Sequence, residues 1–181
     1  MKIYEILSLC NDMAKLGLPA EYFTANNQSA LADERIRAML TCCATVSEEL
    51  YCDYAAAVKK CRVRAENGFI DCSKLRLCRV ISLTDSMGNA AKYRYTEGGL
   101  ITDEGEYTVV YAALPPKTEW DGEIKLTPRI TPRIFAYGII AEYCFISGDV
   151  VAQKSWAQRY YDALRLAEIK TSLQTMPAGR W

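Results

Sequence analysis

Histidine is absent from this sequence of 181 residues. Histidine is the side chain whose ordinary pKa lies closest to neutral pH, and it is also a frequent zinc ligand. Without it the chain cannot build a serine–histidine or cysteine–histidine pair, in which the imidazole activates the nucleophile. The sequence therefore excludes enzymes that depend on these pairs and most catalytic zinc sites, and we predict no catalytic residues.

Long apolar runs are also missing. No segment approaches the roughly 20 consecutive apolar residues that a membrane-spanning helix needs. Residues 1–9 alternate charged and apolar side chains and lack the apolar core of a signal peptide. We therefore expect a protein that is made in the cytoplasm and has no membrane partner.

Paired cysteines at metal-binding spacing are the third absence. The chain has eight cysteines, and no two of them follow the C-x-x-C spacing that is typical of zinc and iron–sulfur sites. With no export signal, they are predicted to be small buried apolar side chains in a reducing compartment rather than a disulfide framework. We therefore predict no metal site and no cofactor.

What is present is an ordinary globular composition, with 50% hydrophobic residues and 22 basic against 22 acidic side chains. The length suits one domain, or one domain with two lobes. The charge is unevenly distributed, with net values of −4, +5, −4 and +3 over residues 1–57, 58–99, 100–127 and 128–181. Such blocks suit a protein that meets copies of itself or neighbours through unlike surfaces, or they are chance variation of solvated faces.

The hydrophobic periodicity changes along the chain and predicts an α+β fold. Apolar residues recur every three or four positions near both ends of the sequence and every second position in the middle. We predict a helical bundle with a small antiparallel β-sheet inserted between N-terminal helices and a C-terminal helix hairpin. The predicted segments are N-terminal helices at 1–58, the sheet at 59–114, a connection at 115–131, the hairpin at 132–170 and a C-terminal arm at 171–181.

Local signals mark several element boundaries. Asn67-Gly68 predicts a two-residue hairpin turn. Asn27 or Ser29 is predicted to cap the second helix, because short polar side chains accept hydrogen bonds from the first helical amides. Thr131, followed by a proline, and Asp149 are predicted to cap the two helices of the hairpin.

A basic stretch opens the predicted sheet. Lys59, Lys60, Arg62 and Arg64 are the candidate DNA-facing residues, and Tyr93 and Tyr95 further along could stack against bases. The alternation of basic and apolar residues fits equally the solvated face of a half-exposed sheet. We predict contact with DNA only through weak electrostatics or passage of the DNA.

Tyrosine is enriched, with twelve tyrosines against four phenylalanines. Tyrosine packs while keeping a polar tip, and it is common at protein interfaces together with tryptophan and arginine. The hairpin carries several aromatic residues, and the predicted arm ends in arginine and tryptophan. The candidate interface residues are Tyr143, Trp156, Tyr160, Tyr161, Arg180 and Trp181.

The order of these segments resembles the head–tail connector and tail tubular (neck) proteins of tailed bacteriophages. The resemblance lies in the turn at 67–71, the strand at 75–83, the strand ending at a proline at 105–115, the proline-led helix at 132–144, and the helix with Trp156, Arg159 and Tyr160 after Gly148. It covers about 100 residues.

The resemblance implies a non-enzymatic virion component that is made in the bacterial host cytoplasm. It implies a ring of copies of the chain, commonly twelve, placed between the portal protein and the tail proteins. Contacts between neighbours in such a ring join two different faces, so the two faces must be complementary. The uneven charge and the predicted arm suit that arrangement.

Two other functions stay open at this stage. One is a small cytoplasmic binding module that contacts nucleic acid through the basic residues of 59–79. The other is a cysteine-dependent enzyme that uses Cys61, because the adjacent Lys60 and Arg62 could lower the pKa of its thiol. An inward-facing strand cysteine between outward-facing basic residues explains the same pattern without catalysis.

Overall fold

The computed structural model of the chain describes residues 1–25, 27–54, 57–125 and 129–167. These residues form four α-helices and two three-stranded antiparallel sheets, so the fold is α+β, as predicted. The chain divides into two compact units. Met1–Ala55 with Pro115–Trp181 is the helical unit, and Ala56–Leu114 is the sheet unit. The predicted arm, with Arg180 and Trp181, lies outside the described residues.

The helical unit is built around one central helix. Its helices are α1 (Ile3–Ala14), α2 (Glu34–Glu49), α3 (Pro132–Ile146) and α4 (Val150–Leu166). A π-helical turn, Leu50–Tyr54, continues α2. Helix α3 packs against the other three helices, which explains why it is apolar on nearly every side. Phe135, Ile139 and Ile140 of α3 are fully buried at this junction.

Side-chain caps fix where three of the helices begin. The Thr131 hydroxyl accepts a hydrogen bond from the Ile134 amide at 3.3 Å, and the Asp149 carboxylate accepts one from the Ala152 amide at 2.9 Å. Both caps were predicted and are confirmed. The cap of α2 is Asp33 and not Asn27 or Ser29, because Gln28–Ala32 forms a separate short 3₁₀-helix.

The connection between the sheet unit and α3 packs against the start of the chain. The amide of Ile124 donates to the carbonyl of Met1 at 2.9 Å. Trp120 is 4% exposed, stacks on Phe23 with ring centroids 6.4 Å apart, and donates its indole N–H to the carbonyl of Thr24. This part of the connection therefore belongs to the core of the helical unit.

The sheet unit holds two sheets rather than the single sheet that was predicted. The strands are β1 (Ala57–Ala65), β2 (Phe69–Asp71), β3 (Leu77–Asp85), β4 (Arg94–Thr96), β5 (Gly99–Ile101) and β6 (Gly105–Ala113). Their orders are β1-β6-β3 and β2-β5-β4. Ile70 and Leu100 of the smaller sheet are buried with Val80, Leu83 and Val109 of the larger one, so both sheets cover one apolar core.

Candidate interaction surfaces

The turn between α3 and α4 presents a cluster of exposed apolar side chains. Phe145, Ile146, Val150 and Val151, which we call the tip cluster, are 67%, 55%, 58% and 83% exposed. They lie on both sides of a three-residue turn whose Gly148 has a φ of +78°, a conformation that favours glycine. Contiguous exposed apolar side chains mark surfaces that other proteins cover.

Backbone hydrogen bonds hold the tip turn in place. The amide of Ser147 donates to the carbonyl of Tyr143, and the amide of Asp149 donates to the carbonyl of Cys144, both at 3.0 Å. Because Asp149 also caps α4, the turn is fixed from both helices. The tip cluster is therefore presented on a rigid support, which lowers the entropic cost of binding a partner.

Arginine and aromatic side chains alternate along one edge of the α3–α4 hairpin. The ring of Tyr137 lies 5.8 Å from that of Trp156. The guanidinium of Arg133 lies 5.7 Å from the Tyr137 ring, and that of Arg159 lies 4.8 Å from the Trp156 ring. Cation–π contacts order both arginines. Tryptophan, tyrosine and arginine are the residues that contribute most to protein interfaces, so this edge is a second candidate surface.

The four candidate interface residues that the structure describes differ in how exposed they are. Tyr161 is 52% exposed, whereas Tyr160 is 2% exposed and belongs to the helical core. Tyr143 and Trp156 are half-buried, and the Trp156 ring contacts Tyr137. Tyr160 is thus removed from the accessible surface of the single chain, because its ring fills the space beside Gly138 between α3 and α4.

A half-buried carboxyl group lies beside Tyr160. Burial raises the pKa of Glu49, interaction with the Tyr160 hydroxyl offsets part of that rise, and the nearby acidic groups of Glu142 and Asp53 add to it. Burial, together with the Glu49 carboxyl, also raises the pKa of Tyr160. Within the described residues no group of three or more potential ligands is arranged to hold a metal ion. Glu49 is therefore a position where ionisation costs folding free energy.

Replacing Glu49 with glutamine is expected to raise the free energy of unfolding at neutral pH. A carboxyl group whose pKa is higher in the folded state binds its proton more tightly there, so its contribution to stability falls as the pH rises through that pKa. The gain in the free energy of unfolding from Glu49→Gln should therefore disappear below pH 4.5, the ordinary pKa of glutamate. Urea unfolding at several pH values measures this. The matched control Glu48→Gln, at an exposed neighbour, should change stability by less than about 0.5 kcal/mol. A destabilised Glu49→Gln protein at neutral pH would contradict the argument.

Strand β1 divides the four candidate DNA-facing residues between two faces. It pairs with β6 in unbroken register, so its side chains alternate strictly. Lys60, Arg62 and Arg64 share the outer face of the larger sheet, and Lys59 belongs to the opposite face. All four are exposed. The structure thus brings three of the predicted residues together and sets Lys59 apart.

The two tyrosines considered as a base-stacking pair contact each other. The rings of Tyr93 and Tyr95 meet edge to face with centroids 5.6 Å apart. The Tyr95 hydroxyl accepts a hydrogen bond from the Val80 amide at 2.8 Å. Tyr95 therefore joins the smaller sheet to β3, which gives both tyrosines a role in folding.

Three of the thiols have a raised pKa, which is the opposite of what an activated nucleophile needs. Burial raises the pKa of Cys61 despite its basic neighbours in the sequence. Burial also raises the pKa of Cys42 and of Cys43 to about 12. A reactive cysteine needs a lowered pKa, which places the thiolate within reach of neutral pH. These three positions therefore give no support to the cysteine-enzyme hypothesis.

Comparison of the sequence with protein-family models and with curated proteins found no match to either. None of the helices in the described ranges combines the length and apolarity that crossing a bilayer demands.

The surface that the sequence analysis did not identify is the tip cluster. Its signal is the run Phe-Ile-Ser-Gly-Asp-Val-Val at 145–151, where apolar residues flank a turn at both helix ends.

Proposed function

We propose that this chain is a non-enzymatic structural subunit of a phage or prophage virion, in the head–tail connector that joins portal to tail. The observation that carries the proposal is the tip cluster. Four large apolar side chains at one end of a rigid hairpin are accessible in the single chain. A surface of this kind is typical of a subunit whose partner covers it in an assembly.

The surroundings of the tip cluster support a role in assembly. The Arg133–Tyr137–Trp156–Arg159 edge runs along the same hairpin and has the composition of an interface core. The uneven charge along the sequence suits the unlike surfaces that heterologous contacts in a closed ring require. The order of helices and strands, which resembles that of connector and neck proteins, gives the assembly its proposed identity.

The experiment is binding to the portal protein encoded in the same genome, measured with purified full-length chains. We expect the wild-type chain to bind the portal, and the double substitution Phe145→Ser with Val151→Ser to weaken binding by about 30-fold or more. A hot-spot residue at the centre of an interface contributes at least about 2 kcal/mol, which corresponds to that ratio. Virions assembled with the variant should contain correspondingly less of this chain.

Leu166→Ser is the matched control. Leu166 is 80% exposed but lies at the far end of α4, roughly 24 Å of helix from Val150. Its replacement removes the same kind of surface and should leave portal binding unchanged. If the wild-type chain binds neither portal nor tail proteins, or if the tip variant binds as tightly as wild type, the proposal is wrong.

A further inference from the structure

The outer face of the larger sheet carries a row of basic side chains. Lys60, Arg62 and Arg64 occupy alternate positions of β1, so successive charges are about 6.8 Å apart along the strand. All three are exposed, and none forms an ion pair with a carboxylate in the part of the chain that the structure describes. Their charges are therefore available to a partner.

The rest of this face carries hydroxyl groups beside the apolar side chains of Val58, Val110 and Ala112. Thr108 of β6 lies opposite Arg62, and Ser82 of β3 lies opposite Val110 of β6. Each is half-buried. Glu106 is opposite Arg64 and marks the acidic end of the row. Hydroxyl groups beside lysine and arginine are the side chains that contact phosphate oxygens of nucleic acids.

Aromatic side chains are missing from this face within the described residues. Tyr107 and Tyr111 of β6 are turned to the buried core between the two sheets. Proteins that bind single strands combine a basic groove with aromatic rings on which unpaired bases stack. A face that offers cations and hydroxyls but no aromatic ring can contact the backbone of a duplex, in which the bases are already stacked.

We propose that the outer face of β1-β6-β3 binds the phosphodiester backbone of double-stranded DNA, without sequence preference, through Lys60, Arg62 and Arg64. The binding is electrostatic and weak, in the range of non-specific DNA binding. The inference stands on the sheet unit alone and does not depend on the function proposed for the hairpin.

Protection of a sheet edge is the competing explanation for the row. β1 is an edge strand, and basic side chains on an edge discourage pairing with other chains. That explanation applies to Lys59 as much as to Lys60, and it predicts no affinity for DNA. Salt-dependent binding that is confined to one face of β1 therefore separates the two explanations.

The test is fluorescence anisotropy of a labelled duplex of mixed sequence with the full chain over a range of salt concentrations. Three neutralised phosphates give a slope of log K against log salt of about −2.7, so affinity should fall roughly 40-fold between about 50 mM and about 200 mM salt. The triple variant Lys60→Gln, Arg62→Gln, Arg64→Gln should lose this slope and bind no duplex detectably.

Lys59→Gln, Lys74→Gln, Lys92→Gln is the matched control. It removes the same charge from exposed positions of the sheet unit that lie outside the row. It should keep the wild-type slope, and all three proteins should share one melting temperature. The proposal is overturned if wild type binds no duplex at low salt, if the control loses as much affinity as the triple variant, or if a single strand of equal length binds more tightly than the duplex.

Discussion

Phe135→Ala is expected to lower the free energy of unfolding of the helical unit by about 3–5 kcal/mol. The Phe135 ring is fully buried on α3, which contacts the other three helices of the unit. Truncating a buried phenylalanine removes its transfer free energy and leaves a cavity that close-packed neighbours fill only in part. Trp120 and Trp156 pack within the helical unit and the sheet unit's sequence has no tryptophan, so tryptophan fluorescence during urea unfolding follows the helical unit.

Phe145→Ala on the same helix is the matched control. Phe145 is 67% exposed in the tip cluster, so its truncation should change the free energy of unfolding by less than about 0.5 kcal/mol. The two substitutions remove the same atoms from one helix, and only the surroundings differ. Equal losses would mean that Phe145 is buried in the folded chain, which would also remove the basis for the tip cluster.

Elements with strong local signals could be predicted from the sequence. Asn67 and Gly68 have φ angles of +52° and +75°, and the backbones of Glu66 and Phe69 exchange two hydrogen bonds of 3.0 Å across them. Few residues other than asparagine and glycine tolerate these angles in succession, so the dipeptide specifies the turn by itself. The caps Thr131 and Asp149 act within their own first turns and were predictable for the same reason.

The pairing of β6 could not be predicted, because both of its partner strands lie far away in the sequence. β6 pairs with β1 on one side and with β3 on the other, and neither pairing follows from a connecting turn. β2, β4 and β5 have three residues each, too few to show a convincing alternation. The division into two sheets is decided by which faces bury Ile70 and Leu100, a property of the assembled core.

The tip cluster was not predicted because α3 has apolar residues on nearly every side, so its exposed and buried faces look alike in the sequence. Its apolar residues point to three helical neighbours, so Phe145 and Ile146 look like further core residues in the sequence. Only the structure shows that Phe145 and Ile146, at the end of α3, are exposed. Tyr160 shows the converse problem, since a tyrosine counted toward an interface turns out to be 2% exposed.

Gly99→Ala is expected to break the pairing of β5 with β2, at a cost of about 3 kcal/mol in the free energy of unfolding of the sheet unit. A Cβ atom at Gly99 would overlap the backbone carbonyl oxygen of Ile70 and lie 2.8 Å from the Cζ atom of Phe69. A side chain can rotate away, but a backbone oxygen in a paired strand cannot, so the strands must separate.

Gly98→Ala separates crowding from backbone strain. Gly98 has a φ of +78° but open space around it, so alanine there should cost only about 1 kcal/mol. Native-state hydrogen exchange of the β2 and β5 amides measures the effect of each substitution, because local opening of these strands raises their exchange rates. Adding Phe69→Ala to Gly99→Ala should restore little protection, since the ring is the lesser obstacle. Full restoration by Phe69→Ala would show that the ring, and not the Ile70 carbonyl, makes glycine necessary at position 99.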